Sequence, residues 1–412
     1  MKIIHTSDWH LGNSFHGHSR EAEHAHFLGW LTEMLTQQQP DALIISGDIF
    51  DSANPSAAAE NMFYEFLARA GEVVKGIQVV VIAGNHDSGG RLEAPAGLLK
   101  MHNVYVRGIL KTTPDGEPDY EHHILPLSSR IGSEAEVAVF AMPFLRPTDY
   151  PAHLSQEEGL RTVFQGMHKS LKKSDFRGLP IVVCAHFYAS GADICAEEHS
   201  ERLVVGGQDR ADVNVAGKDV SYIALGHIHK AQQISQNAWY SGSALPMSFS
   251  EKAYSHGVLL VSIGDGGEDV AVERLAYKPL RRLISIPSKG AALASEVMEE
   301  IERIPERKKG DEGLSWPYLE IRVRETQPEP SLLSEVTAAL NNRGVYFCRM
   351  LRETSASSKR DEKESIDTLQ TQTPLDMAKK IFQGRYGEPM PQELIDKFNI
   401  AVGLAEAEEK EQ

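Results

Sequence analysis

Five short apolar runs in this chain each break off into Asp, Asn or His, and that repetition constrains the fold more than any other feature. Residues 2–6 lead into Ser7-Asp8-Trp9-His10, and residues 42–45 into Gly47-Asp48-Ile49-Phe50-Asp51. Residues 79–83 run into Gly84-Asn85-His86-Asp87, residues 181–185 into His186, and residues 222–225 into Gly226-His227-Ile228-His229. Short aliphatic runs of this kind read as buried strands. In an open α/β sheet the side chains at the carboxyl ends of the strands meet in one crevice. The sequence therefore predicts one polar cluster assembled from segments far apart in the chain.

The organisation around those runs is that of an α/β protein. Up to about residue 277, apolar strands alternate with amphipathic stretches at 19–38, 56–73 and 91–101, and further strands are expected at 138–140, 238–241 and 257–263. Ser19 is the expected N-cap of the first helix, with Ala25, Leu28, Leu31 and Leu35 on one face. The pattern fits a two-sheet sandwich flanked by helices better than a single doubly wound sheet. A second, smaller α+β unit is expected over 278–353, reading β-α-β-α-β with segments at 283–286, 291–304, 318–324, 331–341 and 345–351. A polar linker (354–373) and two helices within 374–412 complete the chain, the helices too small to bury much alone and so suited to a partner surface.

Composition narrows the class. At 412 residues the chain exceeds what one core usually supports. No apolar run approaches the roughly 20 residues that span a bilayer, and the strand entered at Lys2 leaves no room for a cleavable signal peptide. Three cysteines, Cys184, Cys195 and Cys348, lack metal-site spacing and read as reduced thiols of a cytoplasmic protein. A net charge of −16 argues against a generally basic nucleic-acid surface. It does not remove nucleic acid as a substrate, because bound divalent cations invert the local charge of a carboxylate-lined site.

Asp, Asn and His at strand ends are the donor set of a two-metal phosphoesterase, in which paired ions about 3.5–4 Å apart clamp both oxygens of a phosphoryl displacement. Asp48 is the natural bridge, since one anion must face two cations. Asp8 and His10 can reach one ion together, His227 and His229 can serve one ion each, Asn85 offers a carbonyl oxygen that can bind metal and also approach a phosphate, and His186 completes the ligands of the second ion. Mixed oxygen and imidazole donors suit manganese, iron or zinc better than magnesium or calcium. His86 is better placed as a non-ligand aimed at the substrate, with Asp87 fixing its ring. The expected nucleophile is water made acidic by the ions. By contrast, His5 sits inside a strand and reads as a core residue, while His16, His18, His24, His122 and His123 read as solvated. Val205-Gly206-Gly207 reads as a turn.

The order Asp8-x-His10, Gly47-Asp48-x-Phe50-Asp51, Gly84-Asn85-His86-Asp87, His186 and Gly226-His227-x-His229 resembles the calcineurin-like metallophosphoesterase superfamily. Longer strings narrow the likeness to the SbcD family of bacterial nuclease subunits: His5-Thr6-Ser7-Asp8-Trp9-His10-Leu11-Gly12, Ser19-Arg20-Glu21-Ala22-Glu23-His24, Pro143-Phe144-Leu145-Arg146-Pro147, residues 222–229 and Gly242-Ser243-Ala244-Leu245-Pro246-Met247-Ser248-Phe249. That resemblance implies a manganese-dependent DNA nuclease with 3′-to-5′ exonuclease activity on duplexes and endonuclease activity on single strands and hairpins, serving DNA repair, recombination and replication. It implies one ion held by Asp8, His10, Asp48 and His229, the other by Asp48, Asn85, His186 and His227, and His86 as the catalytic histidine. It also implies a homodimer formed around residues 56–70 and 91–101, a capping role for residues 278–353, and docking of residues 374–412 on the coiled coil of an SbcC-type ATPase. Two other readings compete: a small-molecule phosphodiesterase using the same metals, and a non-catalytic scaffold, which should have lost ligands that are all present here.

Overall fold

The structure is a computed structural model in which residues 1–129, 134–151, 153–193, 210–325 and 329–354 are described, with single positions between 379 and 397. Cys195, the turn at 205–207, the linker after residue 354 and nearly all of residues 374–412 lie outside the described residues. The chain divides into two compact units, Met1–Arg322 with Pro330–Leu351, and Val323–Glu329 with Arg352–Gln412. In the second, the Arg352 guanidinium pairs with Glu325 at 2.7 Å. The first unit carries the site.

Its framework is a pair of six-stranded sheets. One runs in the order Val270–Ala276, Gly257–Ile263, Lys2–Thr6, Ala42–Ser46, Gln78–Ile82, Val104–Arg107. The other runs Gln232–Gln233, Ala238–Tyr240, Val220–Gly226, Ile181–His186, Val137–Met142, Ile124–Leu127. The inner faces share a core of Ile44, Val80, Ile82, Val139, Val182, Cys184, Tyr222 and Ala224, and burial pushes the Cys184 thiol up to about 12. Outside the first sheet, helices Glu21–Gln38 and Ala57–Val73 bury Phe27, Leu31, Phe63 and Phe66 around Trp9. Helix Gln156–Lys173 covers the second with Phe164 and Met167 against Phe140. The expected sandwich is thus the observed one. Lys2–Thr6, Ala42–Ser46 and Gln78–Ile82 are parallel, as are Ile181–His186 and Val220–Gly226, so each group ends at a common rim.

Several local expectations differ. Residues 91–101 form not one helix but Gly89–Glu93, Ala96–Leu99 and a 3₁₀ turn Lys100–His102. Pro95 supplies no N–H and interrupts the ladder. Helix Gln156–Lys173 was not expected, although Ser155 and Glu158 form a reciprocal capping box. Its glycines obscure the helical signal, and they are there for packing: a Cβ on Gly166 would sit 2.2 Å from the Tyr120 ring. Ser19 does not cap the first helix, which starts at Glu21 after an N-cap Arg20 that makes no capping bond. His24 and His123 are buried rather than solvated. His123 Nδ1 lies 2.9 Å from the Ala141 carbonyl and its Nε2 accepts the Lys111 N–H. His5 is the core residue expected, its Nδ1 2.9 Å from the Tyr222 hydroxyl.

The segments after residue 279 keep the expected β-α-β-α-β order. Leu283–Ile286, Tyr318–Glu325 and Tyr346–Thr354 form a three-stranded sheet, with helices Ala294–Glu302 and Leu332–Leu340 between them. Tyr318 packs with Phe15 and Phe249 in a small separate core.

Candidate metal centre

At the shared rim the chain must turn sharply as each strand ends, and it does so at the polar residues themselves. Asp8, His10, Asp48 and His227 have φ of 53°, 47°, 50° and 105°. Left-handed backbone is disfavoured for residues with a Cβ, by about 1–3 kcal/mol each, and persists where the surrounding structure over-determines it. Backbone bonds provide that determination: Asp8 N–H donates to the Gly47 carbonyl at 3.0 Å and His10 N–H to the Asp48 carbonyl at 3.1 Å. Gly84 is required by close approach, because a Cβ there would lie 2.1 Å from Asp48 Oδ1.

Among the described residues three groups of ligand-type atoms result, each within 4.8 Å: Asp8, His10 and His229; Asp48, His186 and His227; and His10, Asp48 and His86. His10 links the first group to the third and Asp48 the third to the second, the Asp48 Oδ2 lying 3.3 Å from His186 Nε2 and 3.8 Å from His10 Nε2. Asn85 Oδ1 lies 3.0 Å from His186 Nε2 and 2.9 Å from His227 Nδ1. All seven residues expected as ligands therefore meet at one rim. His86 stands there too, its ring centroid 4.8 Å from that of His10.

The electrostatics of the site are set by burial and by the pairing of Asp48 with the histidines around it. Burial alone would raise Asp48, but His186, then His10 and His86, outweigh it and hold the carboxyl far below the usual carboxylate range. Burial lowers His186, yet the adjacent Asp48 carries it up to about 9. His227 is lowered to about 3 by burial and then by His186. The residues fit divalent ions on a further observation: His10, 2% exposed, has no hydrogen-bond partner at Nε2. Buried imidazoles rarely remain unsatisfied, and a cation held with Asp8 and Asp48 would satisfy this one.

Groups behind the rim aim these rings. His186 Nδ1 lies 2.8 Å from the Ser46 carbonyl. His229 Nδ1 lies 3.2 Å from the buried Glu251 carboxylate, and His10 Nδ1 lies 3.5 Å from Asp51. Carboxylates behind ligating histidines set the tautomer and raise ligand basicity. Glu251 was not foreseen; it stands two residues beyond the Gly242–Phe249 string and carries no local signal. The expected partnership of Asp87 with His86 is not the one observed. Asp87 accepts the N–H groups of Gly84 (2.9 Å), Ile49 (3.2 Å) and Phe50 (2.9 Å), tying two strand ends together. Burial, then the Asp48 charge, raises Asp87 to about 6. His86 Nδ1 is held instead by the Asp51 carbonyl at 3.0 Å, and its backbone N–H donates to Asp48 Oδ1 at 2.9 Å.

Two α-flanked sheets meeting at a rim of Asp, Asn and His define a metallophosphoesterase. Comparison with known proteins agrees. Residues 1–231 match the family described as calcineurin-like phosphoesterase, and residues 279–386 match the type 5 capsule protein repressor C-terminal domain. The chain is 35% identical to the SbcD component of the nuclease SbcCD of Rhodobacter capsulatus over 83% of this chain and 84% of that one. It is 30% identical to its Bacillus subtilis counterpart over 100% of both. With the Escherichia coli K12 counterpart it is 34% identical over 65% of this chain and 66% of that one. The chain belongs to the calcineurin-like phosphoesterase family and, within it, to the SbcD group; it is a hydrolase of phosphoester bonds that uses divalent metal ions.

Proposed function

We propose that this protein is the nuclease component of an SbcCD-like complex, cutting DNA ends and hairpins with two manganese ions. The observation that carries this reading is the place of Asp48 between His10 and His186, its Oδ2 3.8 Å from one ring and 3.3 Å from the other, with His86 beside them. Asp8, His10, Asp48 and His229 would hold one ion and Asp48, Asn85, His186 and His227 the other. Bound there, the ions would supply an acidic water and neutralise charge on a phosphodiester. His86 is the catalytic histidine. With its Nδ1 proton directed at the Asp51 carbonyl, Nε2 is the atom that holds or gives a proton at the leaving oxygen. Asp87 acts by fixing the turns that carry Asp48 and His86.

The partners follow the same reading. Residues 278–353 serve as a cap over the DNA, and residues 374–412 dock on an SbcC-type ATPase. A homodimer through residues 56–70 and 91–101 is supported by the exposure of Leu98 (66%) and Met101 (79%). The enzyme works in the cytoplasm, as a DNA substrate and the absence of metal-type or paired cysteine spacing in the sequence suggest. It trims duplexes from 3′ to 5′ and opens single strands and hairpins during repair, recombination and replication. No helix of the described residues is long and apolar enough to cross a membrane.

The test is cleavage of an end-labelled DNA hairpin with manganese, with and without SbcC and ATP, beside a small chromogenic phosphodiester. Hairpin opening that rises with SbcC and ATP is the expected result. Turnover of the small ester alone, indifferent to SbcC, would replace the nuclease with a small-molecule phosphodiesterase.

A further inference from the structure

Arg20 occupies a position where its local chemistry is unfavourable. Helix N-caps favour Ser, Thr, Asp or Asn, and a cation there opposes the helix dipole. Arg20 is nevertheless the N-cap of Glu21–Gln38, makes no capping bond, and is 0% exposed. A buried charge kept against local preference points to a role outside its own helix.

Its contacts lead to the metal centre. Arg20 Nη1 donates to the Pro246 carbonyl at 2.7 Å. The N–H of the same peptide group, that of Met247, donates to Glu251 Oε2 at 2.8 Å. Glu251 Oε1 in turn lies 3.2 Å from His229 Nδ1. A peptide group is planar, so its C=O and N–H turn together. Holding the carbonyl of this peptide therefore aims its N–H at Glu251. Engaging Nδ1 with Glu251 commits the other ring nitrogen, Nε2, to the group with Asp8 and His10. Arg20 is held in turn by Glu23, also 0% exposed, through Nε–Oε2 at 3.2 Å and Nη2–Oε1 at 3.1 Å. Glu23 accepts the Tyr318 hydroxyl at 2.6 Å and pairs with Arg281 Nη1 at 3.5 Å.

We propose that Arg20 is a positioning residue for the His229 half of the metal centre, acting through the Pro246–Met247 peptide and Glu251. The Glu23–Tyr318–Arg281 cluster holds it in place. This rests on the reading of His229 as a metal ligand.

The test is calorimetric titration of the full-length protein with Mn²⁺. Arg20→Met and Glu251→Gln should each weaken binding, within the about 10–100-fold that partners of metal ligands command. The double variant should lose far less than the product of the two, since both act on one element. Leu35→Ala, in the core beneath the same helix, lowers stability without touching the relay and should leave Mn²⁺ affinity unchanged. A folded Arg20→Met with wild-type affinity, or losses that simply multiply, would overturn the proposal. Should Arg20→Met fail to fold, Arg20→Lys serves: it keeps the charge beside Glu23 but cannot span both Glu23 and the Pro246 carbonyl, and wild-type affinity there overturns the proposal equally. Absence of Mn²⁺ binding by the wild type, or unchanged affinity in His229→Ala, would instead overturn the metal-centre reading.

Discussion

His186 and His229 stand at the same rim and are aimed by different means. His186 leans on a main-chain carbonyl, that of Ser46, presented by a strand of the opposite sheet. No side-chain substitution removes that acceptor while the sheet register survives. His229 leans on a carboxylate, Glu251, in the 3₁₀ turn Phe249–Ala253, and that carboxylate accepts the Met247 N–H, whose peptide group the Arg20 side chain holds. One half of the site is thus built from strand geometry, the other from replaceable groups. The contrast says where the centre is robust and where it can be tuned.

The most damaging change is the one that removes the contrast by disabling both halves. Asp48→Asn takes the shared anion from both ligand groups, so manganese binding and hydrolysis should fall together; wild-type metal content measured by atomic absorption would end the bridging assignment. Next, His86→Gln should retain manganese and lose turnover by about 10²–10⁴-fold, the usual share of a general acid. Loss of the metal instead would make His86 a ligand, as its group with His10 and Asp48 allows. The contrast itself is sharpened by a pair of variants. Glu251→Gln should weaken manganese about 10–100-fold, whereas Ser46→Ala, which keeps the carbonyl, should leave the affinity as it is. Equal losses in calorimetry would mean that the two halves are not differently built.

The smallest effect lies outside the centre. His5 is buried against Tyr222 and lowered by burial to about 3, from an ordinary value of 6.5. The unfolded chain therefore takes up a proton first as the pH falls below about 6.5, and stability drains away down to about pH 3. At pH 5 the loss from this one group is about 2 kcal/mol. Urea unfolding of the metal-free protein between pH 7 and pH 5 should show that slope, and His5→Gln should flatten it. An unaltered slope would assign the acid sensitivity to other buried histidines, such as His24 and His123.

Much of the site could be read directly because its residues follow strands in short, ordered fragments. Gly84-Asn85-His86-Asp87 and Gly226-His227-Ile228-His229 keep their chemistry within one turn, and a local pattern suffices. Glu251 and Arg20 could not be read that way. Glu251 belongs to no fragment with a spacing, and Arg20 lies in a string, Ser19-Arg20-Glu21-Ala22-Glu23-His24, whose pattern names no chemistry; each gains its role from a contact across the fold. Asp87 was legible as part of the site and misread as the partner of His86, because adjacency in the chain says nothing of where a side chain points once a turn is made. The helix Gln156–Lys173 is hard to read locally for a related reason: Gly159 and Gly166 weaken its pattern, and the Tyr150 and Tyr120 rings that require them lie elsewhere in the chain.

By itself, then, the sequence determined the five strands that end at the rim, the donor types and their convergence, since periodicity and residue chemistry are local properties that need no partner. Only the tertiary structure decided which atom of each donor faces the centre. That choice rests on carbonyls such as Ser46 and Asp51, and on carboxylates such as Glu251, brought within about 3 Å by the packing of two sheets. Hydrogen bonds act only at contact distance, and contact between residues far apart in the chain exists only once the chain has folded.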